Sequence, residues 1–138
     1  MASKAVLIDT HIFLWLIEGT SLSRTAHKAI SEATNGRKIG ISAISVWEIM
    51  MLIWKKRVQV RIPIKQWFDQ AMTAPGITII PLSPEILIES CLLPEYHYND
   101  PADRMIIATA RIKNIPLVTR DQRILEYGNS GYFSGIKG

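Results

Sequence analysis

The sequence predicts an α/β fold, a single domain in which βα units surround a short, mainly parallel sheet. Three observations predict it. Short apolar runs alternate with longer stretches of helical periodicity, the pattern of βα units around a parallel sheet. Cap residues and early prolines open the helical stretches, and Gly or Asn closes several of them. The chain has 138 residues, 48% hydrophobic and 20% charged, which suits one buried core and leaves no room for a second. Residues 1–138 therefore read as one domain.

The first strand is AVLI at 5–8, followed by the helical stretch THIFLWLIEG that ends at Gly19. Ser23 caps the polar helix RTAHKAISEAT, which stops at Asn35-Gly36, and Lys38 to Ile41 forms a second strand. Ser42 caps the most apolar helix, AISVWEIMMLIWKK, and Pro63 opens IKQWFDQAMTA, closed by Pro75-Gly76. ITII at 77–80 is the third strand, and Ser83-Pro84-Glu85 starts the next helix. Asn99-Asp100-Pro101 starts a longer one, ADRMIIATARIK, ended by Asn114. PLVT at 116–119 is the fourth strand, DQRILEY a short helix after it, and the glycine-rich tail offers at most a weak edge strand.

A domain of this size hides ~68% of its unfolded surface and needs no staples. The single Cys91 excludes an internal disulfide and any multi-cysteine zinc site, and it fits a reducing cytoplasm. Sixteen Lys and Arg against twelve Asp and Glu give a net charge of +4, which permits a polyanionic partner without demanding one. Lys4 precedes an apolar start, but Asp9 and His11 interrupt it too early for a signal peptide or a bilayer span. A soluble, cytoplasmic protein is expected.

Four acids stand out against this outline. Asp9 ends the first strand, Glu48 lies two turns into the apolar helix, Asp103 sits in the first turn after Pro101, and Asp121 follows the fourth strand. In an open parallel sheet with right-handed crossovers, strand C-termini and the following helix N-termini share one edge, so these residues meet in one crevice. Each has a plainer reading. Asp9 and Asp121 can cap the helices that follow them, and Asp103 complements a helix dipole. Glu48 resists such a reading: it is the only charge between Ser42 and Trp54, on a mostly apolar face with Ile44, Ser45, Met51 and Leu52. An ionised carboxylate buried there costs several kcal/mol unless a cation or hydrogen bonds compensate it. Converging like charges call for a divalent cation, and oxygen-only donors select Mg²⁺ or Mn²⁺ over zinc. Such ions promote phosphoryl hydrolysis.

The segments LIDTHIFLW at 7–15, SAISVWEI at 42–49, DPADRMIIATA at 100–110 and LVTRDQRI at 117–124 resemble PIN domains, above all the VapC-type ribonuclease toxins of type II toxin–antitoxin modules. The resemblance implies an α/β/α sandwich and a metal-dependent endoribonuclease. It also implies a homodimer inhibited by a small cognate antitoxin. Asp9, Glu48 and Asp103 match the three acids of the family, and Asp121 a fourth, less regular acidic site. In many members that fourth position is Asn, with an acid three residues later, where this chain has Ile124. Thr10 and Thr119 match small hydroxyl positions beside the first and last acids.

Cations complete the candidate set. Lys55, Lys56 and Arg57, with Arg61 and Lys65, form a basic run flanked by Trp54 and Trp67 that can hold an RNA backbone or simply be a solvated helix end. Arg104, Arg120 and Arg123 neighbour the acids and can contact phosphate or balance the acidic pocket. His11, at a helix start, reads as structural. Trp15, Met50, Met51 and Trp54 read as mainly core by helical spacing, some of them as surface for a second subunit or an antitoxin helix.

Other functions fit less well. A catalytically inactive RNA-binding module of the same fold gains nothing from carboxylates facing phosphate. A phosphatase with an aspartyl nucleophile needs a second Asp two residues after the first, where His11 stands. A nuclease acting on single-stranded DNA stays open, because nothing in the sequence reads the ribose 2′-hydroxyl.

Overall fold

The computed structural model describes residues 5–36 and 38–138, so Lys4 lies outside the described residues. Among the described residues, five strands form one sheet: β1 (Val6–Ile8), β2 (Ile39–Ser42), β3 (Ile77–Ile80), β4 (Leu117–Thr119) and β5 (Gly135–Lys137), in the order β3-β2-β1-β4-β5. Every pairing is parallel, with Ile8 beside Ile41 on one side and Val118 on the other. The tail thus supplies a true strand. Leu117 N donates to Ser134 O at 2.9 Å and Gly138 N to Thr119 O at 2.9 Å, an edge pairing that the glycine-rich tail composition under-reports.

Alternation along the strands sorts two cores. Val6, Ile8, Ile39, Ile41, Ile77 and Val118 face the layer built from α1 (Thr10–Glu18), α2 (Arg24–Thr34), part of α3 (Ala43–Trp54) and α4 (Ile64–Met72). Leu7 and Leu117 face the other layer, from α5 (Pro84–Cys91), α6 (Pro101–Lys113) and α7 (Gln122–Asn129). Helices cover both faces of the sheet, making the expected α/β/α sandwich. The boundaries shift by a residue or two from the sequence pattern: β2 takes in Ser42, α3 stops at Trp54, and α7 runs through Gly128 to Asn129.

The caps behave as the sequence chemistry dictates. Ser23, Ser83 and Asp100 accept from the backbone N–H three residues on, at 3.1, 3.2 and 2.9 Å. Gly76 has φ of +83°, and a Cβ built there lies 2.7 Å from Thr34 Cα and 2.9 Å from Thr34 O. Left-handed strain of about 1–2 kcal/mol for a residue with Cβ adds to a backbone collision that no rotamer relieves. Gly76→Ala is therefore expected to cost about 2 kcal/mol or more, read as a Tm lower by about 5 °C or more.

The sequence reading of α3 is corrected. Its apolar composition suggested a core helix, but only Ser45 and Ile49 are buried. Trp54 is 75% exposed, Trp47 57% and Met50 37%. The helix sits at the rim of the C-terminal sheet edge and turns one stripe inward. Its outer stripe is covered by no other described element. No described helix is long and apolar enough to cross a membrane.

Candidate active site

The C-terminal edge of the sheet gathers the acids because each follows a strand or opens a helix there. Asp9 leaves β1 and caps α1, accepting from Ile12 N at 2.9 Å through Oδ1. Glu48 comes from the second turn of α3, whose start is fixed by the Ser42 cap at the end of β2. Asp103 occupies the first turn of α6, and its N–H donates to the cap Asp100 at 2.9 Å. Asp121 leaves β4 and caps α7, accepting from Arg123 N at 2.9 Å and Ile124 N at 3.1 Å. All four, with Asp100, His11, Thr10, Trp15, Ile106 and Arg120, line one cavity of about 300 Å³.

Two threonines orient two of the acids. Thr119 Oγ1 donates to Asp9 Oδ2 across 110 residues of sequence, and accepts from Asp121 N at 3.0 Å. Thr10 Oγ1 is bonded to Glu48 Oε1 at 2.5 Å and to Ser45 Oγ at 2.8 Å. Glu48, half-buried, thus finds a hydroxyl where the sequence reading asked for a partner. The short reach from α1 to α3 supplies it.

The electrostatics match a site crowded with like charge. Burial lifts the Asp9 carboxyl above its ordinary range, against the lowering pull of the Thr119 and Ile12 hydrogen bonds. Burial likewise raises Glu48, opposed by the Thr10 bond and reinforced by the charge of Asp100. Asp103 is pushed up to about 7, first by burial and then by Asp100, Asp121, Glu48 and Asp9. Thr119→Val keeps the shape and removes a donor from a buried carboxylate. It is expected to raise the Asp9 pKa further, a shift read by carboxyl-carbon NMR titration.

The donor set suits a hard divalent ion: carboxylate oxygens and threonine hydroxyls, with charge that no Lys or Arg neutralises by an ion pair among the described residues. As the side chains stand, no three described His, Cys, Asp or Glu are drawn close enough around one point to hold an ion. Their inner oxygens are bonded to Thr119, Ile12 N and Thr10, and the carboxylates surround the cavity. Each bonded oxygen keeps a further lone pair for a cation.

The candidate cations separate. Arg104 makes structural bonds to backbone carbonyls: Nε gives to Ser90 O at 2.8 Å, and Nη1 to Tyr96 O at 3.0 Å and Tyr98 O at 2.8 Å. It holds down the loop that leads to Asp100. Arg123 stacks over Tyr98, 4.4 Å from the ring centre, and lines a neighbouring groove. Lys55, Lys56 and Arg57 are exposed beyond the end of α3, a helical rise of about 10 Å from Glu48. Only Arg120 of these six lines the acidic cavity. The sequence reading missed Asp100, which it took purely as a cap, and it set His11 aside. The signal for Asp100 was its position three residues before Asp103, which puts both carboxylates on one helix end.

Residues 6–129 match the family model described as PIN domain. The chain is 34% identical over 120 residues to Ribonuclease VapC22 of Mycobacterium tuberculosis, covering 86% of this chain and 88% of that protein. Among solved structures, a toxin-antitoxin complex from Klebsiella pneumoniae superposes with a TM-score of 0.58 at 26% identity, covering 85% of this chain and 87% of that one. VapBC2 from Rickettsia felis, bound to a DNA fragment from its promoter, superposes with a TM-score of 0.69 at 14% identity over 96% of this chain and 98% of that one, a likeness of fold.

Proposed function

We propose a function from one premise: the chain belongs to the PIN domain family. It is an endoribonuclease that hydrolyses RNA phosphodiester bonds with Mg²⁺ or Mn²⁺, and it is the toxin of a toxin–antitoxin pair. The observation that carries this reading is the convergence of Asp9, Glu48, Asp103 and Asp121 from four separate elements on one cavity, with no compensating ion pair among the described residues. A structural role does not explain such an arrangement, because grouping like charges around one cavity, with Asp9 buried and Glu48 and Asp103 half-buried, destabilises the fold.

Asp9, Glu48 and Asp103 would hold the divalent ion, with Asp121 assisting from the rim. A bound ion would supply Lewis-acid chemistry there, acidifying a water and offsetting charge on a phosphoryl oxygen. The protein's own groups prepare the site. Thr119 and the Ile12 N–H fix the Asp9 carboxylate, and Thr10 fixes Glu48, so neither must reorder when substrate arrives. The start of α6 keeps Asp103 beside Asp100, where the crowded charge favours any cation that enters.

The whole chain, 1–138, acts as one nuclease domain in the cytoplasm. It works as a homodimer, and a small antitoxin covers the acidic crevice with an Arg or Lys on the carboxylates and an apolar segment along the exposed α3 surface. The 34% identity to a protein named a ribonuclease favours RNA over single-stranded DNA.

The decisive experiment incubates purified protein with total cellular RNA and Mg²⁺ and maps the 5′ ends of the fragments. Discrete cuts at few sites are expected, together with growth arrest on expression that a cognate antitoxin relieves. Equal degradation of single-stranded DNA overturns the RNA reading, and harmless expression of active enzyme overturns the toxin role.

A further inference from the structure

Two segments that supply acids to the cavity also build the groove beside it. Tyr98 stands two residues before Asp100, and Arg123 two residues after Asp121. Each is therefore at most about 7 Å of chain from a carboxylate that lines the acidic cavity. Tyr98 and Arg123, with Tyr96 and Tyr127, line a groove of about 310 Å³, where Arg123 Cζ lies 4.4 Å over the Tyr98 ring. Tyr96 ties this groove to the cavity electrostatically. Burial first, then the charges of Asp103 and Asp121, raises its phenol to about 12.

The stack stands on a rigid base. Arg104 Nη1 donates to Tyr96 O at 3.0 Å and to Tyr98 O at 2.8 Å, and Tyr127 Oη donates to Pro94 O at 2.6 Å. The Tyr96 ring meets Tyr98 edge-on with centres 5.4 Å apart, and Tyr127 with centres 4.8 Å apart. Arg104 thus already fastens the loop, yet Tyr98 keeps 40% of its surface exposed and Arg123 is exposed as well. The acids of the groove lie against other groups: Glu95 is 3.6 Å from His97, and Glu126 accepts from Gln122 at 3.3 Å. The guanidinium of Arg123 enters no ion pair among the described residues.

A nucleotide offers a protein an anionic phosphate and a flat base. Beside a wall of carboxylates the phosphate needs an ion. A base is neutral, and it stacks on tyrosine rings and arginine planes alike. Bases in a duplex are already stacked on each other, so the surface suits an unpaired nucleotide. Side chains fixed beforehand lose little freedom when the base arrives.

We propose that the Tyr98–Arg123 stack is a base subsite, which takes the base of an unpaired nucleotide flanking the phosphate at the acidic cavity. The inference rests on the nuclease reading and adds the place where a flanking base of the substrate is held.

The test measures binding of two fluorescein-labelled probes to Asp9→Asn protein across a salt series, a random-sequence single-stranded oligoribonucleotide and a fully paired RNA duplex. Adding Tyr98→Ala is expected to weaken single-strand binding about 5–100-fold, the worth of one stacked base. The salt slope should stay as it was, because no phosphate contact is lost. Tyr98→Phe should restore the affinity, since phenylalanine stacks as well, and duplex binding should not respond to either change. In the cleaving protein, Tyr98→Ala should raise KM more than it lowers kcat. Single-strand affinity unaltered in Tyr98→Ala overturns the proposal. So does a loss that Tyr98→Phe does not restore, or one shared equally by the duplex, which marks Tyr98 as a brace of the fold alone. If Tyr98→Ala fails to fold, photocrosslinking of a thiouridine-substituted oligoribonucleotide to the Asp9→Asn protein decides. Adducts on Tyr98 or Arg123 are expected, and their absence from both overturns the subsite. Wild-type protein that neither binds nor cuts RNA sinks the nuclease reading and this inference together. Wild-type cleavage with KM insensitive to Tyr98→Ala sinks this inference alone.

Discussion

An Asp9→Asn variant is expected to fold like the parent and to lose RNA cleavage by more than the roughly 10–100-fold that outer-shell partners of a metal site typically cost. Two facts separate the effects. Asn is as good an N-cap as Asp, so the bond from Ile12 N and the start of α1 survive. The substitution also removes one negative charge from a buried group whose pKa is already raised by burial, which relieves strain on the fold. Glu48→Gln follows the same logic, because its remaining carbonyl oxygen still accepts from Thr10. It should abolish cleavage with melting unchanged or slightly higher. Steady-state cleavage and a melting curve on the same preparations check both. A variant that keeps most of its activity removes that residue from the machinery, and one that unfolds shows a structural ion instead.

Millimolar Mn²⁺ is expected to raise the melting midpoint by several degrees at pH 8, and by much less at pH 5. The first part follows from mass action. An ion that binds only the folded arrangement adds about 2.7 kcal/mol at a hundredfold excess over its dissociation constant, which for a domain of this size moves Tm by several degrees. The second part follows from Asp103, whose carboxyl is raised from 3.8 to about 7 in the folded protein. The folded state then holds a proton that the unfolded state has lost. That stabilisation is complete below about pH 3.8 and disappears as pH rises through about 7. Metal-free protein should therefore melt at lower temperature at pH 8 than at pH 5, and Mn²⁺ should remove most of that difference by taking the place of the proton. Differential scanning calorimetry at the two pH values, with and without Mn²⁺, reads all four states. A wild-type curve indifferent to Mn²⁺ at pH 8 contradicts a metal site formed by this chain. The shift should shrink sharply in Asp9→Asn and Asp103→Asn, and only in part in Asp121→Asn.

What the sequence by itself determined was everything carried by local chemistry. Ser23, Ser42, Ser83, Asp100 and the early prolines place helix starts because a cap needs only a neighbour two or three residues away. The parallel sheet follows from apolar runs too short for helices, and the shared edge of Asp9, Glu48, Asp103 and Asp121 follows from the handedness of βα units. Composition could not say what each long side chain reaches. Arg104, Arg120 and Arg123 look alike in sequence, yet one is spent on three carbonyls, one braces over Trp15 and one stacks on Tyr98. The pairing of Thr119 with Asp9 joins residues 110 positions apart, and the β5 pairing rests on backbone bonds to a glycine-rich segment that periodicity does not mark. The apolar stripe of α3 was legible as apolar, but whether Trp54 meets core or solvent depends on which element lies across from it. These were decided only by the tertiary structure, because the direction of a flexible side chain and the neighbour of a helix face are set by packing over long sequence distances, whereas caps and strand runs are set by backbone hydrogen bonds over short ones.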